Sequence, residues 1–225
     1  MSLSNEGAPK FNLVVIIAVL KELGINLETG YLMNREKLGI PLRKALAQKM
    51  STMKEDTLVI NMAGVEEMTT SVAEEIGPLL FQELIKYRRQ DRKVFLTYCN
   101  VAEEIARGLD GTFKNWGSEL ETSDKLNVVV FSTFQDGKFA NHQFLGQEIP
   151  TALKDILDAI YTFGVVNSTD LEDQGIKAAS RKLNELAKYY PWLFCKVQKS
   201  LDTSSRAWAY FYKPIVPVVE KVAVK

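Results

Sequence analysis

The sequence predicts an α/β domain with a mainly parallel or mixed sheet, followed by a small α+β domain. Strand and helix patterns alternate between residues 11 and 149, which is typical of helices packed on a sheet. After residue 150 the pattern changes to three helices and then two strands. A chain of 225 residues fits two such domains, which we place at residues 10–148 and 150–214, with a C-terminal tail at 215–225.

The α/β region is predicted from apolar runs of strand length and from apolar residues at helical spacing. Pro41 suits a first helical turn, whereas Pro78 lies inside a helical pattern and predicts a kink or a late helix start. The dipeptide Asp136-Gly137 predicts a hairpin turn. The predicted strands are residues 11–20, 56–62, 93–99, 127–134 and 139–145, and the predicted helices are residues 41–50, 71–89 and 101–113.

The C-terminal region contains three helical patterns and two segments rich in aromatic and β-branched residues. Thr151 is the expected N-cap of the first helix, Gly164 ends that helix, and Pro191 stops the third helix. The predicted helices are residues 151–163, 169–173 and 176–190, and the predicted strands are residues 192–198 and 207–212.

The third of these helices has two distinct faces. Apolar residues at steps of three and four form one buried stripe, made of Ile176, Ala179, Leu183, Leu186 and Tyr190. The opposite face is polar and includes three cations, and its residues are Lys177, Ser180, Arg181, Asn184 and Lys188. The loop between the two strands has a cation at each end, Lys199 and Arg206.

Residues 175–186, Gly-Ile-Lys-Ala-Ala-Ser-Arg-Lys-Leu-Asn-Glu-Leu, stand before an aromatic strand pair and resemble winged-helix domains. The resemblance covers roughly the last third of the chain. It implies that the third helix enters the major groove of DNA while the hairpin loop touches the flanking backbone. Arg and Lys meet phosphates or guanine, and Asn pairs with adenine. The DNA contacts implied are Lys177, Ser180, Arg181, Asn184, Lys188, Lys199 and Arg206.

Winged helices also serve as dimerisation or protein-docking units, so docking without DNA contact stays open as an alternative. Many act as dimers on paired half-sites, and by analogy a homodimer is expected here. The charge distribution agrees weakly with DNA binding. Residues 151–225 hold 11 of the 28 Lys and Arg and 8 of the 28 Asp and Glu, a net charge of +3, against −3 for residues 1–150.

Two stretches of the first region, residues 30–43 and 58–75, resemble the STAS domain of anti-sigma-factor antagonists, and more closely the STAS-like group of unassigned function. The resemblance covers about residues 12–120. It implies a signalling or protein-interaction domain in which a hydroxyl at a helix start is phosphorylated to switch partner binding, here Ser71 with Thr70 beside it. The alternative is a capping box, in which Ser71 caps the helix and Glu74 reaches back.

Enzyme chemistry has little support in the sequence. The chain lacks Gly-Lys-Ser/Thr and Gly-x-Ser-x-Gly, and the carboxylate pairs Glu74-Glu75 and Glu103-Glu104 are interpreted as solvated helix faces. A single histidine, His142, argues against zinc, and Cys99 and Cys195 are expected to be buried free thiols. We therefore predict no enzyme activity, metal or cofactor.

The apolar run at residues 11–20 is too short to span a bilayer, so no membrane association and a cytoplasmic location are expected. The function predicted from the sequence is transcriptional regulation. In this prediction the C-terminal domain binds DNA and the STAS-like domain receives a protein signal or mediates assembly. The alternative is a protein-interaction adaptor of a partner-switching pathway, in which the C-terminal domain is a docking surface.

Overall fold

The structure, a computed structural model, describes residues 10–27, 29–54, 56–88, 93–116, 128–200 and 208–217. The strands are β1 Lys10–Val15, β2 Tyr31–Leu32, β3 Asp56–Asn61, β4 Glu67–Met68, β5 Phe95–Cys99, β6 Val128–Gln135, β7 Lys138–Gly146, β8 Phe194–Ser200 and β9 Trp208–Pro214. The helices are α1 Ile16–Glu22, α2 Ile40–Ser51, α3 Thr70–Ile76, α4 Pro78–Arg88, α5 Glu103–Trp116, α6 Thr151–Phe163, α7 Ser168–Asp173 and α8 Ala179–Tyr189, with a π-helical turn at Arg35–Gly39.

A five-stranded sheet forms the centre of the fold, in the order β1-β3-β5-β6-β7. The first four strands are parallel, and β7 pairs antiparallel with β6. The predicted α/β architecture with a mixed sheet is therefore confirmed. Because successive parallel strands are neighbours and such crossovers are right-handed, the connecting helices cover one face of the sheet. The Tyr98 hydroxyl of β5 donates to the Ile76 carbonyl of α3 on that face.

The C-terminal segment covers the other face. The Thr57 hydroxyl on β3 donates to the carbonyl oxygen of Ile215, beyond β9. The Tyr161 ring of α6 lies 4.8 Å from the ring of His142 on β7, measured between centroids. The buried residues of both halves of the chain belong to one continuous apolar core. The sheet is consequently the middle layer between two sets of helices.

The β6–β7 hairpin turns at Asp136-Gly137, as the sequence predicts. Both residues have positive φ, 51° and 77°, which a two-residue turn of type I′ requires. The hairpin bends across the sheet, since the rings of Phe134 and Phe139 lie 6.3 and 5.2 Å from the ring of Phe11 on β1. These contacts join the first strand to the last hairpin of the sheet.

In the α/β region, two segments that were each predicted to be one element form two elements in the structure. The run at residues 11–20 was expected to be one strand, but it forms β1 and then α1, because Ile16, Val19 and Leu20 follow helical spacing and are buried on one side. The predicted helix at 71–89 is α3 followed by α4, and the new start at Pro78 confirms the predicted interruption.

The C-terminal region contains three helices and an antiparallel strand pair in the predicted order. Thr151 is not an N-cap. Pro150 holds that position, and its carbonyl accepts from the N–H groups of Leu153 and Lys154. The short helix α7 begins with a capping box formed by Asn167 and Asp170. Residues 89, 127, 207 and 218–225, at the ends of predicted elements and in the predicted tail, lie outside the described residues.

Candidate nucleic-acid interface and hydroxyl cluster

Helix α8 is fixed to the core by the stripe that the sequence predicts. Ala179, Leu183 and Leu186 are buried along the helix, and Tyr190 is buried directly after it. Burial, and then the charge of Glu185, raise the pKa of the Tyr190 hydroxyl above its usual value. A neutral aromatic ring therefore anchors the end of the helix.

The outward face of α8 is exposed as predicted. All five polar residues assigned to it are exposed, namely Lys177, Ser180, Arg181, Asn184 and Lys188. The ammonium of Lys188 lies 5.0 Å from the ring centroid of Tyr189. Glu185 is also exposed, so the face contains three cations and one carboxylate. The surface is basic, although α7, which packs on α8, has two exposed acids, Glu172 and Asp173.

The predicted start of this helix is wrong by three residues. The helix begins at Ala179 rather than Ile176, because Gly175 and Ala178 have positive φ of 86° and 57° and the chain turns there. The Ile176 N–H donates to the Leu171 carbonyl and closes the end of α7. Lys177 thus belongs to the turn before α8, not to the helix.

A backbone bridge links the strand pair β8–β9 to the segment between α6 and α7. Val166, between α6 and α7, forms a bridge with Tyr212 of β9, and each backbone N–H donates to the other carbonyl, at 3.0 and 2.8 Å. The hairpin is therefore a two-stranded ribbon with a third, one-residue partner. Of the two predicted loop cations, Arg206 lies outside the described residues, as does the side chain of Lys199.

A hydroxyl cluster, defined here as Thr69, Thr70 and Ser71, stands at the start of α3. Thr70 is exposed, whereas the other two are half-buried and their hydroxyl oxygens lie 3.2 Å apart. The predicted capping box is absent, because Thr69 holds the N-cap position, no side chain caps the helix, and Ser71 lies inside its first turn. The Glu74 carboxylate lies 3.7 Å from Arg35 instead.

Next to this cluster, Glu75 is the centre of an ion-pair network. The residue is 2% exposed, which corrects the interpretation of Glu74-Glu75 as an ordinary solvated pair. One carboxylate oxygen accepts from Arg35 at 2.8 Å and the other from Arg43 at 2.7 Å. Arg43 also lies 3.4 Å from Glu83 of α4. The network joins the π-helical turn and α2 to α3 and α4.

The network has a basis in the sequence that neither periodicity nor composition indicates. The π-helical turn is capped by the Asn34 side chain, which accepts from the Lys37 N–H at 2.8 Å. Gly39 lets this turn approach α3, because a Cβ there would lie 3.2 Å from the Glu75 side chain. Arg, Gly and Arg at positions 35, 39 and 43 are spaced so that both guanidinium groups reach one carboxylate.

A second cluster that the sequence did not indicate lies between the two halves of the chain. Ser132 Oγ and His142 Nδ1 are 2.8 Å apart, and the Tyr161 ring packs against the imidazole. The Tyr161 hydroxyl donates to the Leu193 carbonyl at 2.8 Å. Burial lowers the pKa of His142 to about 4, so the imidazole is neutral at neutral pH.

Comparisons with known proteins add no family to this geometry. No family model matches the chain, and neither a curated protein nor a solved structure matches it. Among the described residues, no helix is both long and apolar enough to cross a bilayer.

Proposed function

We propose that this protein is a transcriptional regulator that binds DNA through a C-terminal winged helix. The observation that carries the proposal is the outward surface of α8 and of the turn before it, where the five assigned polar side chains are exposed while the opposite stripe of the helix is buried. Arg181 and Lys188 supply charge for phosphates or guanine, and Asn184 supplies an amide for adenine. A helix held this firmly presents these groups at fixed spacing.

The connections around α8 support the same assignment. A winged helix has a short strand between its first and second helices, and that strand pairs with the hairpin behind the third helix. The Val166–Tyr212 bridge joins the segment between α6 and α7 to β9 in this manner. Helix α8 itself packs on α6 and α7. The outer face of α8 stays exposed although the C-terminal segment also packs on the central sheet.

In this proposal the α/β part, with a STAS-like fold, receives a protein signal. The four parallel strands, whose connecting helices cover one face of the sheet, and the hydroxyl cluster at the start of α3 support that role. Phosphorylation of Ser71 or Thr70 would place nearly two negative charges one turn from Glu74 and Glu75, which Arg35 holds. The hydroxyl cluster is thus coupled by charge to the ion-pair network.

The test is fluorescence anisotropy of the full chain with a mixed-sequence DNA duplex over a range of salt. We expect affinity that falls steeply with salt, because each phosphate contact contributes roughly −0.9 to the logarithmic slope. Arg181→Ala should weaken binding and reduce the slope by about one. Lys138→Ala, which removes an exposed cation from the α/β part, is the matched control and should bind as the wild type does.

A second candidate is a protein-interaction adaptor without DNA contact. It is favoured by exposed apolar side chains beside the hydroxyl cluster, Tyr31 at 42% and Met33 at 50%. The β2 strand runs next to the start of α3, since the Thr69 N–H donates to the Leu32 carbonyl at 3.1 Å. Absence of duplex binding at low salt would refute the regulator and leave the adaptor. A photo-crosslinking residue at position 33, with position 23 as control, would then capture its partner.

A further inference from the structure

The strand pair β8–β9 has one face that changes from buried to exposed along its length. Residues directly opposite each other share a face, and the register pairs Lys196 with Tyr212 and Gln198 with Tyr210. At the base of this face, Tyr212 is buried, contacts the Phe194 ring at 5.7 Å and bridges to Val166. Further out, Gln198 is exposed and Tyr210 is 48% exposed.

The exposed half of this face combines a cation with an aromatic ring. The Lys196 ammonium lies 4.0 Å from the ring centroid of Tyr210 and 5.7 Å from that of Tyr212. Neither strand contains an acidic residue, whereas together they hold three lysines and five aromatic residues. A positive charge held over an exposed tyrosine, with no carboxylate in the ribbon, is the chemistry that binds a nucleotide.

We propose that the face formed by Lys196, Gln198 and Tyr210 is a second nucleic-acid site, which binds an unpaired nucleotide of DNA that extends from a duplex. The inference rests on the proposed function, since it adds a contact to the DNA that α8 binds. The base stacks on the exposed part of the Tyr210 ring. The Lys196 ammonium meets the phosphate, and the Gln198 amide meets an edge of the base.

The ligand is unpaired because stacking needs an open base plane. Inside a duplex, away from its two ends, both planes of each base are covered by neighbouring bases, and groove-binding side chains reach only base edges and phosphates. A tyrosine ring that is half exposed on a strand offers a plane for stacking in addition to its hydroxyl. Arg181 and Asn184 on α8 have hydrogen-bonding groups that can reach base edges in a groove. The α8 face and the hairpin face therefore have different chemistry.

The experiment compares one mixed-sequence duplex in two forms, blunt-ended and with a short single-stranded extension, by fluorescence anisotropy of the full chain. For the wild type, the extension should tighten binding roughly fivefold or more. Tyr210→Ala should remove that gain, while Tyr210→Phe keeps it. Tyr31→Ala is the matched control, because Tyr31 is a comparably exposed tyrosine in the α/β part, and it should keep the gain.

Charge and stacking are separated by a further variant. Lys196→Met should lower the salt slope for the extended probe by about one and leave the slope for the blunt duplex unchanged. Because Tyr210 and Lys196 are at the surface, thermal unfolding of each variant should match that of the wild type. If Tyr210→Ala unfolds early, it is replaced by Tyr210→Leu, which keeps apolar bulk and removes the ring.

The outcomes separate the two proposals. An equal gain from the extension in the wild type and in Tyr210→Ala would overturn the hairpin site and leave DNA binding by α8 intact. Binding to the extended probe alone would support the hairpin site and overturn duplex binding by α8. No binding to either probe would overturn both proposals.

Discussion

The indole N–H of Trp192 donates a 3.1 Å hydrogen bond to the carbonyl oxygen of Val128. The donor follows α8, and the acceptor begins β6, so this bond crosses from the C-terminal segment to the central sheet. Both residues are buried. The bond fixes the segment that contains α8 relative to the strand that precedes the β6–β7 hairpin.

Trp192→Phe should destabilise the protein by about 1–3 kcal/mol, because the Val128 carbonyl would lose this partner in a buried position. Urea unfolding followed by circular dichroism measures the change. Trp116→Phe is the control, since Trp116 is only half-buried at the end of α5, and it should cost less. Equal losses of stability in the two variants would show that Trp192→Phe acts only by making the side chain smaller, and that the hydrogen bond contributes nothing to stability.

Glu75→Ala should lower the free energy of unfolding by about 2–4 kcal/mol. This loss is smaller than for breaking a fully buried ion pair, because Arg35 and Arg43 are partly exposed and water screens their charges. Two guanidinium groups would lose a shared carboxylate. Glu74→Ala is the matched control on the adjacent residue. Its carboxylate is 32% exposed and 3.7 Å from Arg35, so we expect a loss within about 0.5 kcal/mol. Similar losses at the two positions would contradict a special role for Glu75.

The sequence predicted contacts that recur at short spacing and missed those between distant residues. The stripe of α8 was visible because Ala179, Leu183 and Leu186 lie three or four residues apart, and helical geometry turns that spacing into one face. Arg35 and Glu75 are separated by 40 positions, so no local pattern pairs them. Their meeting depends on how the π-helical turn packs on α3, which is a tertiary property.

The predicted helix boundaries were wrong where the backbone conformation of one residue overrides the side-chain pattern. Ile176 fits the apolar stripe of α8, but Ala178 at positive φ interrupts the chain before the helix begins. The side-chain pattern contains no sign of this, because alanine is a good helix former. Ser71 similarly fits a capping box by spacing, yet the chain becomes helical at Thr70, before it. In both cases the prediction of a helix was correct, but the position assigned to the residue within that helix was wrong.

Gly30→Ala should destabilise the protein by about 1–3 kcal/mol, because the added Cβ would lie 2.3 Å from the Gly64 carbonyl oxygen and the backbone would have to move. The contact matters because the Gly30 carbonyl accepts from the Glu66 N–H at 2.8 Å. Gly108→Ala is a matched control in helix α5, where nothing lies within 4 Å of the new Cβ. There we expect a gain of about 0.5–1 kcal/mol. Thermal unfolding of the two variants should therefore shift in opposite directions.

His142 should make the stability of the protein depend on pH between neutral and mildly acidic conditions. Burial lowers the pKa of the folded imidazole to about 4, whereas an unfolded histidine titrates near its usual value of about 6.5. Below that value the unfolded chain binds a proton that the folded chain does not. Stability contributed by the neutral imidazole is thus complete above about pH 7 and falls as the pH drops towards 4.

The expected loss between pH 7 and pH 5 is about 2 kcal/mol. Urea unfolding at the two pH values measures it, and His142→Gln should abolish most of it while keeping a polar partner for Ser132. Carboxylates that titrate in the same range affect the wild type and the variant equally, so the difference between the two proteins isolates the histidine. An unchanged pH dependence in His142→Gln would mean that the imidazole titrates in the folded protein as it does in the unfolded chain. In that case the packing of the imidazole against Tyr161, where the C-terminal segment meets the sheet, would not prevent His142 from becoming protonated.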